Sequence, residues 1–196
     1  LKKILIVFAH PSFELSRVHK QLISVANQVK NVTINDIYQK YFDYDIDIEH
    51  EKKLLEQNDI IIWQHPFYWY SCPPLMKEWI DLVLEHGWAY GNQGRSLEGK
   101  WLFNTISSGG SFDAYTKEGL NKYSIRELIP PFEQTARLCR MTYLPPFIVH
   151  GTHKLENNEI KEYADNYKLL LDGLTNEKFS LNDLNNKYYL NDLFSN

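Results

Sequence analysis

With 196 residues and a formal net charge of -4 from 21 basic and 25 acidic side chains, the chain has the size of one domain, and no basic block stands out that could neutralise a nucleic-acid backbone. Its 2 cysteines, Cys72 and Cys139, are widely spaced with no CxxC or Cys/His cluster, which argues against a disulfide framework or a zinc site and for a reduced, cytoplasmic protein. No apolar run approaches the roughly 20 residues of a membrane span, and the opening LKKILIVFAH is strand-length rather than a signal sequence.

Lys3 to Ala9 is a continuous apolar run, read as a fully buried strand that His10 and Pro11 end. From Ser16, a candidate cap, Val18, Leu22, Ile23, Ala26 and Val29 recur at helical intervals. Val32 to Tyr38 alternates apolar and polar residues, as an edge strand with one wet face does. The acidic, aromatic stretch Tyr41 to Glu51 reads as a surface loop leading into a helix near Glu49 to Gln57.

Ile60 to Trp63 is a second buried strand, stopped by Pro66, and Phe67, Tyr68, Trp69 and Tyr70 then occupy a loop. No local element can bury four consecutive rings, so some must face a flat apolar ligand or a partner subunit. The plainer alternative is a core strand beside an aromatic dimer patch. Pro73 and Pro74 close the loop, and a helix runs to Leu84. Gly87, Gly91, Gly94 and Gly99 mark the next stretch as a loop that holds Trp88 and Tyr90.

Trp101 to Ile106 is the fourth strand and ends at Ser107-Ser108-Gly109-Gly110. Residues 111–129 are too many for a simple connection, a length that favours function. A helix over Pro131 to Cys139 precedes a fifth strand, Met141 to Val149, whose Pro145 and Pro146 require a bulge or an edge. Asn158 to Leu174 is the last amphipathic helix, with Ile160, Tyr163, Ala164, Tyr167, Leu170 and Leu171 inward, and the polar stretch 175–196 extends the same domain.

Strands alternating with helices imply an α/β fold, a parallel sheet covered on both faces. Ligands bind such a sheet beyond the carboxyl ends of its strands, where the strand order reverses. The loops there are His10 to His19, Pro66 to Pro73 and Ser107 to Tyr115. Ser16 at a helix start with His10, Arg17 and His19 suits an anion, although serine there is often only a cap and His10 only a turn residue. GxxxxGK[ST] and GxGxxG are both absent. The paired glycines form a turn that also allows close backbone approach to the polar edge of a flat heterocycle.

His10-Pro11, Ser16-Arg17-Val18-His19, HPFYWYSCPPLMKEWID and SSGG resemble the flavin signatures of the NAD(P)H:quinone reductase family, most closely its ancillary flavoproteins of glutathione-gated potassium efflux systems. The resemblance runs from residue 3 to about residue 174. It implies a flavodoxin-like three-layer sandwich with a five-stranded parallel sheet in the order 2-1-3-4-5, and a flavin-binding domain over residues 1–174. Carried over residue by residue, His10, Ser16, Arg17, Val18 and His19 hold the phosphate of FMN, FAD being the alternative flavin. Pro66, Phe67, Tyr68, Trp69 and Tyr70 line the ring, and Ser107, Ser108, Gly109 and Gly110 meet its pyrimidine edge. Tyr115 lies near the flavin carbonyls, and Trp69, Tyr70 and Tyr115 are the catalytic positions. A family histidine six residues after that tyrosine is Asn121 here, so a relay through an imidazole is not carried over.

The implied activity is two-electron, ping-pong hydride transfer through flavin N5 from NAD(P)H to a quinone. It implies a cytoplasmic homodimer with Trp88 and Tyr90 near the partner's site, although both also read as ordinary surface aromatics. The alternative is a regulatory flavoprotein of a potassium efflux channel, docked at the inner face of the membrane. A one-electron carrier ranks below both, because the pocket is aromatic rather than acidic.

Overall fold

Every side chain of Ile4–Phe8 (β1) is buried, as expected of a central strand of a parallel sheet. The computed structural model describes residues 1–194, so the last two residues of the expected C-terminal extension lie outside the described residues. After β1 come a single 3-10 turn at Phe13–Leu15 and the helix Arg17–Ala26 (α1), then Val32–Asp36 (β2). The expected strand to Tyr38 is cut short. Asp36, the last residue in the ladder, turns its carboxylate to accept the Gln39 N–H at 3.1 Å and cap the short helix Ile37–Lys40 (α2).

Asp47 caps Ile48–Glu56 (α3), and Ile60–Pro66 (β3) follows. This strand runs to Pro66 rather than stopping before it. A last-residue proline lacks only a donor, and the next N–H, that of Phe67, still reaches Ser107 O at 2.8 Å. Pro74–Val83 (α4) and Trp101–Ser107 (β4) complete the centre. The 111–129 stretch holds a 3-10 turn at Phe112–Tyr115 and the helix Ile125–Leu128 (α5), and it leads into Pro130–Leu138 (α6).

The fifth strand position is at the sheet edge and is interrupted, as its prolines require, and it counts as two short strands. Pro145 and Pro146 split the fifth strand position into Thr142–Tyr143 (β5) and Phe147–Val149 (β6), both parallel to β4 at successive registers, so the sheet has six strands. Neither proline can donate to the ladder, so the chain leaves the sheet and returns. The order β2-β1-β3-β4-β5 is that of a flavodoxin-like fold.

Alternation at period two sends Leu5, Val7, Ile61 and Trp63 to one face, against α3, α4 and α6. Ile4, Ile6, Phe8, Ile60 and Ile62 go to the other, where α1 and Asn157–Thr175 (α7) pack together. The last helix, Leu181–Asn185 (α8), and a final 3-10 turn at Leu190–Leu193 bury Leu184 and Leu190 in that second layer. Asn191 on the final turn donates to Ile148 O at 2.9 Å and accepts Ile148 N–H at 2.8 Å, standing in for the neighbour that the outer edge of β6 lacks. No helix among the described residues is long and apolar enough to cross a membrane.

Candidate functional site

Because the sheet is parallel, β1, β3, β4 and β6 all deliver their carboxyl ends to one rim, and β1 and β3 are the neighbours from which the chain departs in opposite directions. A cleft of about 510 Å³ opens there, a volume in the range of small-molecule sites. The loop after β1 contributes His10, Ser12, Ser16, Arg17 and Val18. The loops after β3 and β4 contribute Pro66, Phe67, Tyr68, Ser107 and Gly109, and Thr152 and His153 come from the loop after β6.

The end of the cleft at α1 presents donors. Ser16 Oγ accepts the His19 N–H at 3.1 Å, while the Arg17 and Val18 N–H groups find no acceptor among the described residues. His10 Nδ1 accepts the Ser12 N–H at 3.1 Å, so its proton sits on Nε2. Burial lowers the His10 pKa from the ordinary histidine value and keeps that ring a neutral donor. The Arg17 guanidinium donates to Leu155 O and to Asn157 Oδ1, both at 2.9 Å, which fixes its charge at the cleft mouth. Free N–H groups at a helix start beside a fixed cation form an anion site.

The structure turns the His19 side chain away from this end. The ring is fully buried, with Nε2 2.8 Å from Ser107 Oγ and Nδ1 3.2 Å from Gln64 Nε2, so the imidazole lies under the cleft floor. Val18 is buried as well and offers only its N–H. Ser108 points inward, its hydroxyl donating to Gly110 O at 3.0 Å and its N–H to Val149 O at 2.9 Å. It shapes the turn in which the Gly109 and Gly110 N–H groups find no acceptor among the described residues. A side chain at either place would have to displace a neighbouring ring. A Cβ on Gly109 would lie 2.7 Å from His153 Nε2, and one on Gly110 would lie 2.9 Å from Tyr115 Cε2.

The aromatic loop makes a tight turn in which Ser71 N–H reaches Tyr68 O at 2.9 Å. Its central residues, Trp69 (φ 47) and Tyr70 (φ 62), both adopt the left-handed region, at a cost of roughly 1–2 kcal/mol each for a residue with a side chain. Trp69 is 92 % exposed. Phe67 packs edge-on against Tyr70 and Tyr115 at centroid distances of 6.3 and 5.9 Å. The Tyr70 hydroxyl donates to Asn121 Oδ1 at 3.1 Å. Burial, and after it the neighbouring Tyr70, raises the Tyr115 pKa, so its hydroxyl stays protonated. Trp69, Tyr70, Ser108, Gly110 and Tyr115 border the cleft without lining it.

Trp88 and Tyr90 stand elsewhere. Trp88 Nε1 donates to Glu56 Oε1 at 3.0 Å with Lys52 over its ring, and Tyr90 packs on His86. Gln64, Thr152, His153 and Tyr167 were not singled out as site residues from the sequence. The rule that marked the other loops would have found Thr152 and His153, which follow the carboxyl end of β6. Gln64 is legible as a polar residue in an apolar strand. Among the described residues no group of three or more His, Cys, Asp or Glu is placed to hold a metal ion.

Residues 2–171 match a family model described as having a flavodoxin-like fold, and the chain belongs to that family. It is 43 % identical over 165 residues to the glutathione-regulated potassium-efflux system ancillary protein KefG of Pectobacterium carotovorum, covering 84 % of this chain and 90 % of that one. General stress protein 14 of Treponema denticola, solved in complex with FMN, superposes with a TM-score of 0.84 at 39 % identity, over 88 % of this chain and 99 % of that one. A P. pentosaceus protein described as an NADPH-quinone reductase superposes at 0.79 with 34 % identity, over 86 % and 97 %.

Proposed function

We propose that this member of the flavodoxin-like family binds FMN in the cleft and is an NAD(P)H:quinone oxidoreductase working by a ping-pong cycle in a homodimer. One observation carries the reading: donors that suit a phosphate gather at the α1 end of the same cleft whose other end is bordered by rings that suit a tricycle. The likeness to a stress protein solved with FMN and to a quinone reductase supports it.

The residues present fit that group. Arg17 and Val18 N–H, His10 Nε2–H and the Arg17 charge form a donor set for a phosphate. Gly109 and Gly110 N–H offer donors to an acceptor-rich ring edge, and Phe67 and Tyr68 supply flat apolar contact. When bound, FMN supplies the hydride chemistry, accepting from a nicotinamide and passing to an electrophile. The chain's part is to seat the ring, exclude water with Trp69 and Tyr70, and keep the Tyr115 hydroxyl protonated as a donor near the reacting edge. Trp88 and Tyr90 would serve the partner's site.

A second reading has a specific observation behind it. The identity to KefG supports a regulatory flavoprotein of a potassium efflux system, a protein that docks at a membrane rather than spanning it. Purified protein supplied with FMN should bleach its flavin with NAD(P)H alone and should oxidise NAD(P)H continuously when a quinone is added. A flavin-loaded protein inert to every nicotinamide and quinone combination, yet co-purifying with an efflux channel, would favour the regulatory reading.

A further inference from the structure

A run of polar side chains crosses the layer between the sheet and the α1–α7 pair. Thr105, Tyr167, Gln64 and His19 are all fully buried, among Ile6, Phe8, Leu22, Phe103 and Leu170. Their hydrogen bonds are made to one another and have a readable direction. The Thr105 hydroxyl points to the Tyr167 oxygen at 3.5 Å, and the Tyr167 hydroxyl donates to Gln64 Oε1 at 2.9 Å. The Gln64 amide then has only its NH2 to offer His19 Nδ1, at 3.2 Å. A ring nitrogen that accepts is unprotonated, so the His19 proton sits on Nε2 and is donated to Ser107 Oγ at 2.8 Å. Burial, and then the proximity of His10 and His65, holds the His19 pKa well below the ordinary value, so the ring stays neutral.

The chain of donors runs toward the cleft, and its last member, Ser107, is the one that lines it. Apolar side chains of similar volume would fill this layer at lower desolvation cost, since buried polar networks stabilise a fold little and fail badly when one member is lost. Such a departure from an apolar interior belongs at a functional site.

We propose that His19 is a positioning residue for the cleft: as the Nε2–H tautomer it occupies the Ser107 oxygen and leaves the Ser107 hydroxyl hydrogen to donate to an acceptor on the bound flavin. The inference rests on the FMN reading above. A donor fixed at the ring's acceptor edge favours the electron-rich, reduced ring over the oxidised one. Hydrogen bonds to charged groups are the stronger kind, which puts the expected change in the reduced-to-oxidised affinity ratio at about tenfold, equivalent to about 30 mV for a two-electron couple.

Two measurements test it. Nitrogen-15 NMR of the wild-type protein without flavin reads the tautomer: His19 is expected as Nε2–H at neutral pH. An Nδ1–H tautomer, the arrangement with the Gln64 amide turned over, or an imidazolium would overturn the proposal. In FMN-loaded protein, Ser107→Ala should lower the flavin midpoint potential by about that amount, His19→Leu, which leaves the Ser107 hydroxyl present but free to rotate, should lower it by part of that amount, and the double variant should go no lower than Ser107→Ala. His19→Gln, whose amide can still donate to Ser107, should retain the wild-type potential. A bound flavin whose potential is unchanged in His19→Leu overturns the inference while leaving the FMN reading intact. Wild-type protein unable to take up FMN overturns both.

Discussion

The Tyr70 hydroxyl donates to Asn121 Oδ1 at 3.1 Å, joining the strained aromatic turn to the long segment between β4 and α6. Asn121 is itself held, since its Nδ2 and its N–H both donate to Ala114 O, at 3.1 and 2.9 Å. A side chain fixed in this way can hold a loop but offers no titrating group. Tyr70→Phe and Asn121→Ala should therefore act alike, each raising the KM for the electron acceptor while the affinity for FMN stays close to wild type. The bond is exposed, so each change should cost no more than about 1 kcal/mol of stability. Steady-state kinetics of the single and double variants check this, and additive effects would show that the two residues act separately.

Trp69 carries a left-handed backbone and is almost wholly exposed, so the fold bears its strain with little packing in return. Trp69→Gly should relieve that strain and raise stability by about 0.5–1 kcal/mol, after the greater flexibility of the unfolded chain is subtracted. On the proposed role of Trp69 in shielding the cleft from water, turnover should fall. Urea unfolding beside turnover measurements checks the trade. A variant less stable than wild type would mean that the tryptophan supports the turn.

His65 is fully buried, with Nδ1 3.0 Å from Pro66 O and Nε2 3.0 Å from Asn104 Nδ2, and burial pushes its pKa down to about 4. Above about pH 6.5, the ordinary histidine value, folded and unfolded chains both keep this ring neutral, and its contribution to stability is fully present. As the pH falls further, the unfolded chain binds a proton that the folded one refuses until about pH 4. Stability should decline across that window by up to about 1.4 kcal/mol per pH unit for this histidine, then level off. The urea midpoint followed against pH reads the slope. His65→Gln should lessen it without abolishing it, because burial depresses His10, His19 and His150 as well, and an unchanged slope in that variant would place the acid sensitivity in those residues.

Much of this architecture is written in local patterns. ILIVF and the Ile60 run are continuous apolar segments, and both are strands buried on two faces. Ser16 is legible as a cap because its oxygen has one nearby helical N–H to serve. The inward direction of His19 is legible too, since it lies at helical spacing from Leu22 and Ala26 on the buried face of α1. A motif read as a list of ligand residues hides that face. The end of β2 at Asp36 and the splitting of the fifth strand depend on a competing cap and on two missing donors, which strand propensity does not weigh. The left-handed pair Trp69–Tyr70 leaves no trace in composition, because the turn is imposed by its anchors rather than chosen by its own residues. Nor does the sequence pair Gln64 with Tyr167, which are 103 positions apart.

The seating of a phosphate at the start of α1 is tested most directly by comparing the affinities of the protein for FMN and for riboflavin, which share a ring and differ in the phosphate. Two or more charge-assisted hydrogen bonds, from Arg17 and Val18 N–H and His10 Nε2–H, amount to about 3 kcal/mol or more. Titration followed by flavin fluorescence should therefore give one FMN per chain, bound at least about a hundredfold more tightly than riboflavin, with Arg17→Ala narrowing the gap. Equal affinities for the two, or no uptake of either, would contradict the account.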